Sequence, residues 1–182
     1  SVEAFAKNAK PAEVDKEVRA QIERAIVFGI KPTHLDSHMG SLFASPELFA
    51  IFQKIGREYG MPVLLPLNMI RQMAPHFEKL IQPGQFAIDQ FFSLYMQIPT
   101  EKWNETYFQF IEKIQPGLNE IVVHLAYDND EMKAVTIDHP DFGSAWRERD
   151  YNFVVSDELK ALLKKSNIQV ITWKQIQEVW KK

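Results

Sequence analysis

The chain has 182 residues, 46% of them hydrophobic and 12% aromatic, which is enough for one sizeable core in one domain or at most two small ones. A net charge of −3 with no block of basic residues argues against a nucleic-acid partner, and the absence of cysteine excludes disulfides, thiolate metal sites and cysteine nucleophiles. No apolar run reaches the ~18 residues of a membrane span and no signal-peptide pattern opens the chain, so the expectation is a cytoplasmic protein with no membrane partner.

The first predicted element is a helix over "PAEVDKEVRAQIERAIVFGI". Pro11 suits a first-turn position, Val14, Val18, Ile22 and Ile26 recur at a spacing of four, and Gly29 is a C-terminal stop. "KPTHLD" reads as a short strand. In "SPELFAIFQKIGREYG", Ser45 caps a second helix, Pro46 opens it and Gly60 ends it. "MPVLLP" is a brief apolar strand, and "NMIRQMAPHFEKLI" is a helix interrupted by Pro75. "QFAIDQFF" fits a strand although its apolar residues do not alternate cleanly. "TEKWNETYFQFIEKI" is a helix capped by Thr100, with Gly117 beyond its end, and "NEIVVHLAY" is the strongest strand, β-branched and almost uninterrupted. After a polar loop, "SDELKALLKKSN" is a helix capped by Ser156, "IQVITW" a strand and "KQIQEVWKK" a last helix.

This alternation predicts an α/β fold with a mostly parallel sheet, in a single domain over residues 1–182. The nearly all-apolar "IVVHLA" agrees, since parallel strands are covered on both faces. A helix comes before the first strand, so the pattern begins as if in mid-fold.

Chemistry gathers in "KPTHLDSHMGSLF". If the strand persists, His34, Asp36 and His38 share one face, and Thr33, Leu35, Ser37 and Met39 take the other. Three ionisable groups on one face make a poor core, and past the end of a parallel strand they would stand in the usual active-site region. The plain alternative is a polar turn with solvated imidazoles. His124, near the end of the apolar strand, reads either as a functional imidazole or as a core histidine satisfied by a carbonyl. "GSAWRERDYNF" sets Arg147, Arg149 and Asp150 beside Trp146 and Tyr151, a group able to hold a carbohydrate or anion, or else a surface ion pair with an aromatic anchor. Asp128, Asn129, Asp130 and Glu131 resemble a metal loop but are more simply a turn and helix cap. His76 and His139 fall in predicted loops. No phosphate-binding glycine loop, dinucleotide fingerprint or nucleophile elbow is present.

"PTHLDSHMGSLF", followed by "EIVVHLAY" and "AWRERD", resembles the YdjC/ChbG-type carbohydrate deacetylases, and the resemblance extends through "SDELKALL" and "IQVITW". It implies a (β/α) barrel related to polysaccharide deacetylases, of which this chain would be the C-terminal part. It also implies one divalent metal ion, magnesium or zinc, and hydrolysis of N-acetyl groups on amino-sugar oligosaccharides. By position His38 resembles a metal ligand, with His34 and Asp36 lining or orienting it and Asp36 able to assist catalysis. His124 resembles the histidine that acts as general acid towards the leaving amine. Arg147, Arg149, Tyr127 and Trp146 are the implied substrate contacts.

The chain also departs from the family pattern. Members begin with a strand ending in an Asp pair, and a following strand carries Gly-x-His; neither motif is present here, and no histidine precedes His34. Two βα units would occupy on the order of 60 residues at about 30 each. Hydrolytic metal sites use about three protein ligands, so the resemblance implies an incompletely liganded metal and a chain inactive alone. Three explanations stand: part of a longer deacetylase, an inactive remnant that binds sugar or protein, or ligands supplied from elsewhere, including another copy. Missing leading strands would leave an open edge, so a homo-oligomer is expected.

Overall fold

The structure is a computed structural model that describes residues 1–95 and 98–180. The chain divides into two compact units, Ser1–Asp89 with Ile171–Lys182, and Gln90–Val170. Among the described residues no helix is long and apolar enough to cross a membrane.

The first unit opens with a helix that sequence patterning did not reveal, α1 (Val2–Asn8), whose Ala4 N–H is capped by Ser1 Oγ at 3.2 Å. α2 (Pro11–Val27) buries Val14 and Ile22 and rests Val18 against the core, while Ile26, the last residue of the predicted stripe, is exposed. Gly29 takes φ 82° past its end, the left-handed stop that glycine adopts without strain. α3 (Pro46–Glu58) begins as expected, with Ser45 Oγ accepting the Leu48 N–H at 3.2 Å, and buries Phe49, Phe52 and Ile55. Pro75 does break its helix: α4 (Leu67–Met73) stops short of it, and Pro75–Leu80 continues as a 3-10 turn. The buried Gln53 amide holds the chain beyond, donating to Leu80 O at 3.0 Å and accepting the Gln82 N–H at 2.9 Å.

The segments "KPTHLD" and "MPVLLP" meet in a single parallel bridge, Leu35 opposite Val63. Leu35 donates to Pro62 O at 3.0 Å and accepts from the Leu64 N–H at 2.9 Å. A second parallel bridge joins Pro66 to Ile88. Leu48, Phe49, Phe52, Val63, Leu65, Ile70 and Phe77 form the core around these bridges. The last helix, α9 (Trp173–Trp180), is tied to this unit by Gln177 Nε2 donating to Gly60 O (2.8 Å) and Trp180 Nε1 donating to Gly84 O (2.6 Å).

In the second unit β1 (Gln90–Ser93) and β2 (Asn119–Val122) pair in parallel, Gln90 opposite Asn119 and Ser93 opposite Val122, with α5 (Trp103–Lys113) between them in the chain. α6 (Asp130–Val135), α7 (Ser144–Val155) and α8 (Asp157–Lys165) follow. Trp103, Tyr107, Ile111, Trp146, Phe153 and Leu159 make the core. Alternation and parallel pairing are those of an α/β protein, and the described pairings amount to one two-stranded sheet and two isolated bridges.

Several expectations change. Thr100 does not cap α5; it opens a 3-10 turn, and the N-cap is Lys102 with no side-chain bond. "NEIVVHLAY" is a strand only to Val122, "IQVITW" forms no strand and leaves Val170 and Ile171 exposed, and "GSAWRERDYNF" is not irregular but supplies α7.

The packing of α3 on the Val63 segment depends on Gly56. A Cβ there would lie 2.5 Å from Val63 Cγ1 and 2.7 Å from Met61 O, and a main-chain oxygen in a tight turn cannot swing away. Gly56→Ala should therefore destabilise the protein by about 1–3 kcal/mol despite alanine's better helix propensity. Urea denaturation checks this; an unchanged or raised midpoint would refute it.

Candidate functional site

The histidine motif lies where parallel pairing ends. Beyond Leu35 the chain stays extended to Ser37, then turns into a 3-10 segment, His38–Phe43, with Met39 (φ 53°) and Gly40 (φ 68°) both left-handed. Ser37 is only 8% exposed, and its Oγ accepts the Leu42 N–H at 2.8 Å, closing the turn. The expected alternation thus holds for the buried Ser37 between exposed Asp36 and His38, and fails at Met39, which the turn swings outward. Asp36, Ser37 and His38 line a cleft of about 530 Å³ together with residues of α1 and α2, among them Glu13 and Glu17.

His34 is half-buried. Its ring stacks on Trp173, centroids 4.3 Å apart and planes within 4°, and its Nδ1 lies 3.1 Å from Thr33 Oγ1. Burial pushes its pKa below the ordinary histidine value, against the opposing pull of the Asp36 carboxylate.

Among the described residues no three His, Asp or Glu side chains come together so as to hold a metal ion. The cleft lining includes Asp36, His38, Glu13 and Glu17, and among the described residues they form no trio able to hold a metal ion. These residues by themselves do not fit a complete hydrolytic metal site, which needs about three protein ligands and an open position.

His124 stands two residues past the end of β2, half-buried, with its ring 6.3 Å from that of Phe142. Its backbone N–H donates to Asp150 Oδ2 at 2.8 Å, and the Tyr107 hydroxyl donates to Asp150 Oδ1 at 2.7 Å. Asp150 is 1% exposed. Burial, and then the neighbouring Asp150 carboxylate, raise the Tyr107 pKa far above the usual phenol range, so Tyr107 remains a donor.

The remaining candidates separate by exposure. Tyr127 is 58% exposed, and its hydroxyl donates to that of Tyr151 at 3.2 Å, with the rings edge to face at 4.9 Å. Arg147 Nε donates to Phe142 O at 3.0 Å, and Arg149 lies 4.3 Å over the Trp103 ring. Trp146 is 6% exposed, packed edge-on against Trp103 at 4.0 Å, and so serves the core. Asn129 caps α6 through the Met132 N–H (2.9 Å), and Asp128 accepts from Ser144 Oγ at 2.6 Å, so the acidic run after His124 is a turn and cap. Sequence reading set Asp150 in a ligand-holding group or surface ion pair, whereas it is buried with no cation paired to it among the described residues; Ser37 was given no role. The recurrence of Trp146, Asp150 and Phe153 at helical spacing was the available signal for Asp150.

The fold and the motif define an α/β protein whose polar groups collect just past the ends of parallel strands. The sequence profile of the YdjC-like protein family matches residues 1–165, and the chain belongs to that family. It is 28% identical over 183 residues to a carbohydrate deacetylase of Thermus thermophilus, covering 98% of this chain and 65% of that protein. It is 27% identical over 161 residues to a carbohydrate deacetylase of Thermoanaerobacter pseudethanolicus, covering 86% of this chain and 58% of the relative. The chain thus spans less than two thirds of the length of these relatives. The fold resembles that of an Enterococcus faecalis V583 protein named for cellobiose-phosphate cleavage, with a TM-score of 0.74 at 20% identity over 94% of this chain and 63% of that one.

The depressed His34 pKa sets a sign for stability. Below the unfolded value near 6.5 the unfolded chain takes up a proton that the folded chain resists, so this contribution is present above that pH and lost as pH falls towards the folded pKa. Wild-type protein should lose stability between pH 7.5 and 5, and His34→Gln should lose less of it over that window. Urea unfolding at both pH values checks this; identical pH slopes for the two proteins would contradict it.

Proposed function

We propose that this chain carries part of a metal-dependent carbohydrate deacetylase site that hydrolyses N-acetyl groups of amino-sugar oligosaccharides. One observation carries the reading: the T-H-x-D-S-H motif of a YdjC-like protein, related to carbohydrate deacetylases, runs through a parallel bridge at Leu35 and lines a cleft with Asp36 and His38 exposed. In this reading His38 is a metal ligand, Asp36 stands beside it and His34, held on Trp173, supports the motif. Two donors do not complete a ligand set, so the remaining ligands belong to protein outside these 182 residues, in a longer polypeptide or a second copy.

The chemistry assigned to this chain's own groups is proton management. Water adds to the acetyl carbonyl, the C–N bond breaks, acetate departs and the nitrogen must be protonated, because an amide anion is too basic to leave. His124 is the group proposed to deliver that proton. Its half-buried place beyond β2 supports the assignment. The exposed Tyr127, its half-buried partner Tyr151 and Arg147 are the proposed sugar contacts, aromatic faces being suited to pyranose rings. Trp146 has the lesser role of holding α7 in place.

The chain by itself should release no acetate from N-acetylated chito-oligosaccharides above background, with or without added Mg²⁺ or Zn²⁺. In a completed site, His124→Ala should lower the rate by roughly 10²–10⁴-fold with metal content unchanged, whereas His38→Ala should lower metal content itself. Acetate assay and metal analysis read both. Brisk metal-dependent release by the 182-residue chain would sink this distribution of roles.

A further inference from the structure

We propose that Asp150 is the positioning residue for His124, fixing the backbone from which that imidazole projects. The inference rests on the functional reading of His124 given above. The second unit has parallel pairing only to Val122, so His124 lies beyond the ladder that would otherwise fix its main chain. Its N–H is instead taken by Asp150 Oδ2 at 2.8 Å, from the middle of α7. The second carboxylate oxygen is held at 2.7 Å by the Tyr107 hydroxyl from α5, so the carboxylate itself cannot rotate freely. Among the described residues no Lys, Arg or His side chain pairs with Asp150, which is 1% exposed. A buried carboxylate with no cation is a costly way to fill a core position, and a hydrophobic residue of similar size would fill it more cheaply. What the carboxylate offers is two acceptors at fixed positions, and both are occupied: one by the helix α5 donor, one by the main chain at His124.

Asp150→Leu keeps nearly the same shape and removes both acceptors. The His124 N–H then has no partner on α7. Asp150→Leu and Tyr107→Phe are compared with wild type in the 182-residue chain by amide hydrogen exchange and by the ¹H–¹⁵N signal of His124. In Asp150→Leu the His124 amide should exchange at least tenfold faster and its proton resonance move upfield, while core amides of Ile111 and Phe153 keep their protection. Tyr107→Phe should move the same signal less, because the carboxylate remains but is tethered at one end only. A general loss of structure would strip protection from all these amides together, which a positioning role does not predict. An unmoved His124 amide in Asp150→Leu overturns the proposal. If Asp150→Leu proves too unstable to fold, an unmoved His124 signal in folded Tyr107→Phe overturns it equally. Since the readout is an amide and not acetate, failure of this positioning is distinguishable from failure of the deacetylase reading.

Discussion

In a parallel pair, every backbone group beyond the last ladder bond has to find another partner, and this constraint shapes the segments that carry His38 and His124. After Leu35 the buried Ser37 hydroxyl accepts the Leu42 N–H and closes a tight turn. After Val122 the Asp150 carboxylate accepts the His124 N–H. In each case a side chain replaces the missing neighbour strand at the point where the chain leaves the sheet. His38 and His124 are the residues standing there. The same geometry that ends the strand therefore sets the direction of the side chain that follows.

The two anchors differ in energetic character. A serine hydroxyl at a turn is neutral and inexpensive, with a net hydrogen bond of about 1 kcal/mol. The Asp150 carboxylate must be desolvated, at several kcal/mol, and its two charge-assisted hydrogen bonds are what offset that cost. Losing either donor leaves part of the cost uncompensated, so the arrangement is tolerable only with both in place. Tyr107 suits the other end of the carboxylate because its pKa is driven up by burial and by that carboxylate, so it keeps its proton and remains a donor across the ordinary pH range.

Much of this was legible in the residues, and the failures have a common cause. Helix α3 was readable from local chemistry alone, since Ser45, Pro46 and an apolar stripe all act within the segment. Pro75 likewise broke its helix through its own backbone restriction. The strand expected at "KPTHLD" is reduced to a single parallel bridge at Leu35. What could not be read depended on partners distant in sequence. "NEIVVHLAY" looks like an unbroken strand because its apolar residues continue, yet Asp150, 26 residues onward, captures the chain at His124. "IQVITW" has β-branched residues but no strand beside it among the described residues. Helix α7 was hidden because its buried stripe of Trp146, Asp150 and Phe153 includes a carboxylate, and a polar residue in a stripe erases the apolar signal. The site followed the same division: the motif residues were visible, while the groups that hold them, Ser37 and Asp150, become meaningful only with their partners present.

The spacing of two in T-H-x-D-S-H follows from the residues between the ionisable ones. Leu35 carries the parallel bridge and rests on the core, and Ser37 is buried to fasten the turn. With Leu35 and Ser37 committed inward, Asp36 and His38 are left exposed at the period that an extended chain imposes, while His34 lies half-buried against Trp173. The run ends where that period ends. Met39 and Gly40 turn the backbone left-handed, which glycine accepts readily and methionine only at a cost of about 1–2 kcal/mol. Accepting that cost immediately after His38 stops the alternation before Met39 can turn inward, and places the last histidine of the motif at the lip of the cleft beside Asp36. The exposure of Asp36 and His38 is thus a consequence of how the extended segment is ended.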